Sequence, residues 1–349
     1  MLAVRSQGAG MSALLELDDV SVTLRGPRAH LFAAPTPIRA LRQVSLTIAA
    51  GETLALVGES GSGKSTLARA ITRLVPAAGQ ARFDGIDILK ADRAGMRRVR
   101  RGLQMVFQDP YSSLNRRKRI ADILMEPLKV HGVGDGAERR RRVEALIAQV
   151  GLNTDMLQRF PAALSGGQRQ RISIARALAL QPQLVICDEA VSALDVSVQA
   201  QILNLLGSLK RSYKLAYLFI THDLGVVRRF ADRIAVMHAG RIIEVAPANL
   251  LFAGPLHPYT RALLSAAPHP SRDRPAPARI LLPGEPVSAL AEPPGCLFAK
   301  RCLHFRPGLC EKSDPPLVTQ GANHQVACHR AREGVPAWMD DAATGGLTP

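Results

Sequence analysis

Apolar and polar side chains alternate along Leu14 to Leu24 and again along Ile38 to Ile48, the period-2 signature of strands with one buried face. The proline- and glycine-containing stretch Gly26 to Pro37 reads as their connection, so the two runs predict an N-terminal sheet. The segment "ETLALVGESGSGKSTLARAITRL" then changes character. A short continuous apolar run predicts a buried strand, a glycine-rich break predicts a loop, and helical spacing follows. Strand, loop and helix in that order open a mononucleotide-binding α/β core. From Pro110 to Ala163 the period turns helical among many charges, with Ile120, Ile123, Leu124 and later Val143, Leu146, Ile147 and Val150 on apolar faces, which predicts an inserted helical subdomain. Two more apolar runs, Leu184 to Cys187 and Leu215 to Ile220, flank a helical pattern over Val196 to Leu209. Parallel pairing with the first buried strand would bring their C-terminal ends to one edge, where open α/β sheets bind ligands. After His257 proline density rises, and Pro268 to Pro294 reads as an extended connector to a small element around several cysteines.

Composition narrows the class. The 349 residues, 47% hydrophobic and 21% charged, suit one large globular core with an appendage or two domains. No run approaches the roughly 18 consecutive apolar residues of a spanning helix. Arg5 is not followed by an apolar stretch before Glu16, so no secretory signal is expected and a cytoplasmic location is. Residues 1 to 10 are expected to form a loose tail ahead of Met11. The net charge of +16 leaves nucleic acid, anionic lipid and phosphorylated ligands all open. The runs Arg97, Arg98, Arg100, Arg101 and Arg139 to Arg142 sit in helical contexts, where a solvated face is the ordinary reading, and they receive no specific role.

Candidate chemistry decides among those ligands. Gly58, Gly63, Lys64 and Ser65 fit the phosphate-loop pattern G-x-x-x-x-G-K-[ST], with a strand before and a helix after. Its glycines let backbone N–H groups face phosphate oxygens, the helix dipole favours anions, Lys64 reaches the outer phosphates and Ser65 can ligate Mg²⁺. The apolar strand Leu184 to Cys187 ends in Asp188 and Glu189. At the phosphate edge the first could hold Mg²⁺ through water and the second could orient and polarise the attacking water. His222 after "LAYLFI" and Gln108 after Gln104 to Phe107 end apolar runs and are uninformative alone. Ser165 is a good N-cap, and Gly166 and Gly167 leave the first helical N–H groups bare, either an ordinary capped helix or a second anion site.

The ordered set Gly58 to Ser65, Gln108, Leu164 to Gln168, Leu184 to Glu189, Ser192 to Asp195 and His222 resembles the motif set of ABC-transporter ATPase subunits, over roughly residues 14 to 250. The resemblance implies an α/β P-loop NTPase core with an N-terminal antiparallel β subdomain, an inserted helical subdomain and a small cysteine-containing C-terminal extension. It places the ATPase domain over residues 11 to 255, with the helical part at about 110 to 163, and the extension over 256 to 349. It implies ATP and Mg²⁺ as cofactors, with Gly58, Glu59, Ser60, Gly61, Ser62, Gly63, Lys64, Ser65 and Thr66 around the phosphates and Ser65, Gln108 and Asp188 near Mg²⁺. Glu189 becomes the catalytic base, His222 the γ-phosphate contact, Gln108 also a link to the membrane subunit and Asp195 a cross-dimer contact. Two such domains pair head to tail, so Ser165, Gly166, Gly167 and Gln168 would close on the partner's ATP.

The stretches "GESGSGKST", "VFQDPYSSLN", "SALDVSVQAQIL" and "HPYTRALLSA", with the cysteine tail, resemble more narrowly the ATPases of oligopeptide, dipeptide and nickel importers. These imply a second, related ATPase subunit or a copy of this chain, two membrane permeases, an extracytoplasmic binding protein and a place on the cytoplasmic face of the cell membrane. The alternative is a soluble ATPase of the same superfamily acting on nucleic acid or ribosomes. The single cassette and the importer-like tail favour transport, with no nucleic-acid partner expected.

Departures from the family pattern are Leu24 where an aromatic often stacks on adenine, with Phe32 as a candidate substitute, Ala190 for proline and Arg116 for proline. Cys296, Cys302, Cys310 and Cys328 are clustered, which in a reducing compartment points to metal before disulfides, although the spacing is not that of a zinc ribbon. The resemblance implies a 4Fe-4S cluster on these four thiolates, with zinc as the alternative.

Overall fold

The computed structural model describes residues 13–26, 35–192, 194–267, 278–285, 293–321 and 323–333. The expected tail at 1 to 10, Phe32, Ala193 and most of the proline-rich connector lie outside them.

Ala13–Arg25 (β1) and Pro37–Ala49 (β2) run antiparallel, from Ala13 opposite Ala49 to Arg25 opposite Pro37. Leu15, Leu17, Val20 and Val22 face Val44, Leu46 and Ile48 in a shared core, so the alternation seen in sequence marks the buried side. Thr53–Val57 (β3) leads to Lys64–Ile71 (α1), then Ala78–Phe83 (β4) and Ile86–Asp87 (β5) complete a four-stranded sheet of order β2-β1-β4-β5. Leu24 packs against the core of this sheet, which explains an aliphatic residue there.

Arg93–Gly102 (α2) feeds Leu103–Val106 (β6), and Pro110–Ser113 (α3), Ile120–His131 (α4), Gly136–Gln149 (α5) and Gly166–Leu178 (α6) build the helical part. Leu184–Asp188 (β7), Val196–Tyr213 (α7), Ala216–Ile220 (β8), Leu224–Phe230 (α8), Arg233–His238 (β9), Arg241–Pro247 (β10), Ala248–Ala253 (α9) and Pro258–Ser265 (α10) follow. Val318–Gln320 (β11) and His324–Val326 (β12) close the described chain. The second sheet has the order β11-β12-β10-β9-β3-β8-β7-β6. Neighbours from β9 to β6 are parallel and those from β9 outward to β11 antiparallel. Every residue of β3, β7 and β8 is buried, because one face packs on α1 and the four-stranded sheet and the other on further helices, and their sequences are accordingly apolar without alternation.

The helical part is not a separate lobe. Ile120, Ile123 and Val143 share one core with Ile172 of α6 and with Val185 and Tyr217 of the sheet. The basic runs act on helix ends: Arg97 donates to the Val130 carbonyl at 2.9 Å and Arg139 to that of Val133 at 2.9 Å.

The cysteine-containing extension is likewise stitched to the ATPase sheet. Its strand β12 pairs with β10, Glu244 opposite Val326, and β11 pairs with β12. The Glu244 carboxylate, 0% exposed, accepts the N–H groups of Leu256 (2.6 Å) and His257 (3.0 Å) and lies 2.7 Å from His324 Nε2. A carboxylate this deep is tolerated because three donors converge on it.

Candidate active site

The turn from β3 into α1 is shaped by backbone geometry. Gly63 caps α1 at φ 109°, and a Cβ there would sit 2.7 Å from the Ala40 carbonyl oxygen, so only glycine fits. Lys64 follows, buried, with Nζ donating to the carbonyls of Gly58 at 2.8 Å and Glu59 at 2.9 Å. Burial pulls its pKa down, while the carboxylates of Glu189, Asp188 and Glu59 act to hold it up. Ser60 and Gly61 are exposed at the tip, and Thr66 is half-buried in the first turn of α1. The Ser62 hydroxyl is buried without a hydrogen-bond partner among the described residues. An orphaned donor in a loop rich in forward-facing N–H groups suits an anion.

Strands β6, β7 and β8 deliver the remaining groups to the same edge. Asp188 ends β7, and Ser65 Oγ donates to its Oδ1 at 2.9 Å. Burial raises the Asp188 pKa, the Ser65 hydrogen bond opposes the rise and neighbouring Glu189 adds to it. Glu189 has φ 47°, a left-handed backbone that costs a non-glycine residue about 1–3 kcal/mol and is found where function demands a side-chain direction. That turn aims the carboxylate at Gln108, whose Nε2 donates to Oε2 at 2.7 Å, and at His222, whose Nδ1 lies 3.5 Å from Oε1. Gln108 and His222 are therefore tied to the acidic strand end, which their sequence positions alone did not reveal. Magnesium fits this set: Ser65 Oγ and Asp188 Oδ1 are hard oxygen donors already within 2.9 Å of each other.

The second helix end lies apart. Ser165 caps α6 in a reciprocal box, its hydroxyl accepting the Gln168 N–H at 3.3 Å while the Gln168 side chain accepts the Ser165 N–H at 3.0 Å. Gly167 is bare for packing: a Cβ there would meet Val198 Cγ1 at 2.6 Å, because the first turn of α7 lies against it. Ser165 and Gly166 are exposed, and so is Asp195, whose side chain caps no N–H of α7. Next to it Val196 is 83% exposed. No hydrogen bond joins this face to the phosphate loop among the described residues.

The cysteines converge without forming a metal centre. Cys296, Cys302, Cys310 and Cys328 line one small cavity, together with His257, His304 and His329. Burial pushes the thiols of Cys296 and Cys302 up to about 11 and about 12 and raises that of Cys328. Among the described residues no group of three or more His, Cys, Asp or Glu side chains is placed to hold a metal ion. Nothing in the arrangement supports the cluster or the zinc suggested by sequence.

Two residues with no sequence signal also reach the phosphate loop. Arg301, from a 3-10 turn between Cys296 and Cys302, grips the Glu59 carboxylate with both terminal nitrogens, at 2.8 and 3.1 Å. The Tyr259 hydroxyl accepts the Glu59 N–H at 2.8 Å. Tyr259 belongs to "HPYT", but nothing in its spacing pointed to Glu59.

Residues 41–192 match the family model described as ABC transporter, and residues 243–310 match the one described as Oligopeptide/dipeptide transporter, C-terminal region. The chain is 47% identical over 306 residues to the Di/tripeptide transport ATP-binding protein DppF of Pseudomonas aeruginosa, covering 87% of this chain and 93% of that one. It is 45% identical over 325 residues to the Oligopeptide transport ATP-binding protein AppF of Bacillus subtilis, covering 92% and 98%. Among solved structures, the dimeric ATP-binding cassette MJ0796 in a post-hydrolysis state with ADP and Pi aligns with a TM-score of 0.60 at 30% identity, over 67% of this chain and 98% of that one.

Proposed function

The chain belongs to the ABC transporter ATP-binding family that carries the oligopeptide/dipeptide transporter C-terminal region, and on that premise we propose that it hydrolyses ATP to energise the import of peptides or a related small solute such as nickel. The observation that carries the reading is the joining of Lys64 and Ser65 to Asp188 and Glu189 at one sheet edge, through the 2.9 Å contact of Ser65 with Asp188.

The chemistry divides among these groups. Loop N–H groups and the Lys64 ammonium bind and orient the β- and γ-phosphates. Ser65 and Asp188 would hold a magnesium ion, which when bound would neutralise charge on the phosphate oxygens. The Glu189 carboxylate accepts a proton from the attacking water, and Gln108 fixes its direction. His222, 60% exposed beside Glu189, is free to turn to the γ-phosphate. The exposed end of α6, with Ser165 to Gln168, and the neighbouring Asp195 meet the ATP of a second ATPase subunit, a related chain or a copy of this one, in a head-to-tail pair. The dimeric state described for MJ0796 supports this arrangement.

No helix among the described residues is long and apolar enough to cross a membrane. The importer reading places the subunit on the cytoplasmic face of the cell membrane, under two permeases that an extracytoplasmic binding protein supplies. An ATPase unit over residues 11 to 255 and an extension from 256 belong to the same proposal. Detergent extraction through a tag on this chain tests it: integral membrane permeases and ATP turnover are expected. Salt-sensitive RNA or DNA binding without a membrane partner would replace it with a nucleic-acid-linked ATPase.

A further inference from the structure

The phosphate loop is held from outside the ATPase core. In its second residue, Glu59, the carboxylate is gripped by both terminal nitrogens of Arg301 and the N–H donates to the Tyr259 hydroxyl. Both partners are buried, Tyr259 at 0% and Arg301 at 7% exposure, and both come from beyond residue 255. The Arg301 side chain makes this bidentate contact from a buried position, 8% exposed, to a Glu59 carboxylate that is 32% exposed. Its Nε is buried and unpartnered, so Glu59 is the anion that compensates the guanidinium. Phe298, three residues before Arg301, packs edge-on against His238 and Tyr259 with ring centroids 5.5 and 5.6 Å apart, which restrains the turn that presents Arg301. The Lys64 ammonium uses the Glu59 carbonyl, so the peptide unit anchored by Tyr259 and Arg301 abuts the one that orients the phosphate-binding lysine.

We propose that Arg301 and Tyr259 are positioning residues for ATP: the C-terminal extension fixes the outer arm of the phosphate loop through Glu59 and thereby sets nucleotide affinity. This rests on the ATPase reading above and deepens it. Without the clamp the loop samples other conformations, and apparent affinity falls by the fraction of time it spends in the competent one. The clamp acts before chemistry, so turnover at saturating ATP does not depend on it.

The test measures the Kd of a fluorescent ATP analogue for the full chain, and KM and kcat in the assembled transporter. If the competent fraction falls to about one tenth, Arg301→Ala and Glu59→Ala each raise Kd and KM about tenfold. The double variant is then no worse than either single one, Arg301→Lys recovers part of the loss, and kcat of the Arg301 variants stays within about twofold. Tyr259→Phe, which removes one oxygen and keeps the ring packed, raises Kd by about threefold and decides the matter if Arg301→Ala does not fold. Unchanged affinity in Tyr259→Phe and Glu59→Ala, or fully additive losses in the double variant, would overturn the proposal. A wild-type chain with no ATP affinity would overturn the ATPase reading as well.

Discussion

Glu244 offers the most direct measurement of what attaches the extension to the core. Its Oε1 receives the Leu256 N–H at 2.6 Å and faces His324 Nε2 at 2.7 Å, and its Oε2 receives the His257 N–H at 3.0 Å. Glu244→Ala leaves three buried donors without an acceptor, each worth about 1–3 kcal/mol when stranded. Water following the shortened side chain recovers part of that, so the net loss is about 3–5 kcal/mol, as for one-sided removal of a buried charged partner. Glu244→Gln behaves differently. Its amide oxygen can keep the two donors at the Oε1 position, while its NH₂ group is turned against the His257 N–H. One donor is lost instead of three, at about 1–3 kcal/mol. Urea denaturation followed by circular dichroism, with proteolysis of the extension as a local probe, measures both. The ordering wild type, Gln, Ala is the essential result. An alanine variant within about 1 kcal/mol of wild type, or a glutamine variant as unstable as the alanine one, would refute the reasoning.

Glu189→Gln keeps an oxygen for Gln108 and the same backbone strain, so ATP binding persists while turnover in the assembled transporter falls about 10²- to 10⁴-fold; undiminished hydrolysis would remove Glu189 from its role. Gly63→Ala places a Cβ 2.7 Å from the Ala40 oxygen at φ 109°, and a loss of at least about 1–2 kcal/mol in stability with failure of ATP binding is expected from thermal melting and nucleotide titration. His238 and His257 are both kept neutral by burial, at about 4 and about 3. The unfolded chain takes up these protons near pH 6.5 and the folded chain does not. Stability is therefore full above about pH 6.5 and falls as the pH drops toward about 4, by about 1.4 kcal/mol per pH unit for each histidine; a flat acid limb in pH-dependent urea melts would contradict this.

The phosphate loop, the acidic strand end and the buried strands were legible because each rests on a local rule. A glycine at a left-handed position, a lysine after it and an unbroken apolar run all show in a few consecutive residues. Gln108 and His222 could be named only by resemblance, since their meaning comes from parallel strands placing the loops after β6 and β8 beside Glu189. The pairing of β10 with β12 was hidden for the same reason: Glu244 and Val326 are distant in sequence, and a three-residue strand carries no periodicity. Arg301 belongs to no motif in the sequence, and only the fold brings it 242 positions back to Glu59. The four clustered cysteines do meet around one small cavity, but no group placed to hold a metal ion is found among the described residues, so the expected cluster gains no support from the fold.

The hairpin of β11 and β12 also protects the ATPase from itself. A chain cut short near residue 255 would retain β10, whose Ile242, Ile243, Val245 and Ala246 are buried, but would leave the hydrogen-bonding groups on its outer side open along an apolar strand. Such a border templates the addition of like strands from other molecules. A trimmed cassette would be prone to self-association and fibre-like stacking, whereas the intact chain hands its border to a strand of only three residues, Val318–Gln320, too short to seed growth.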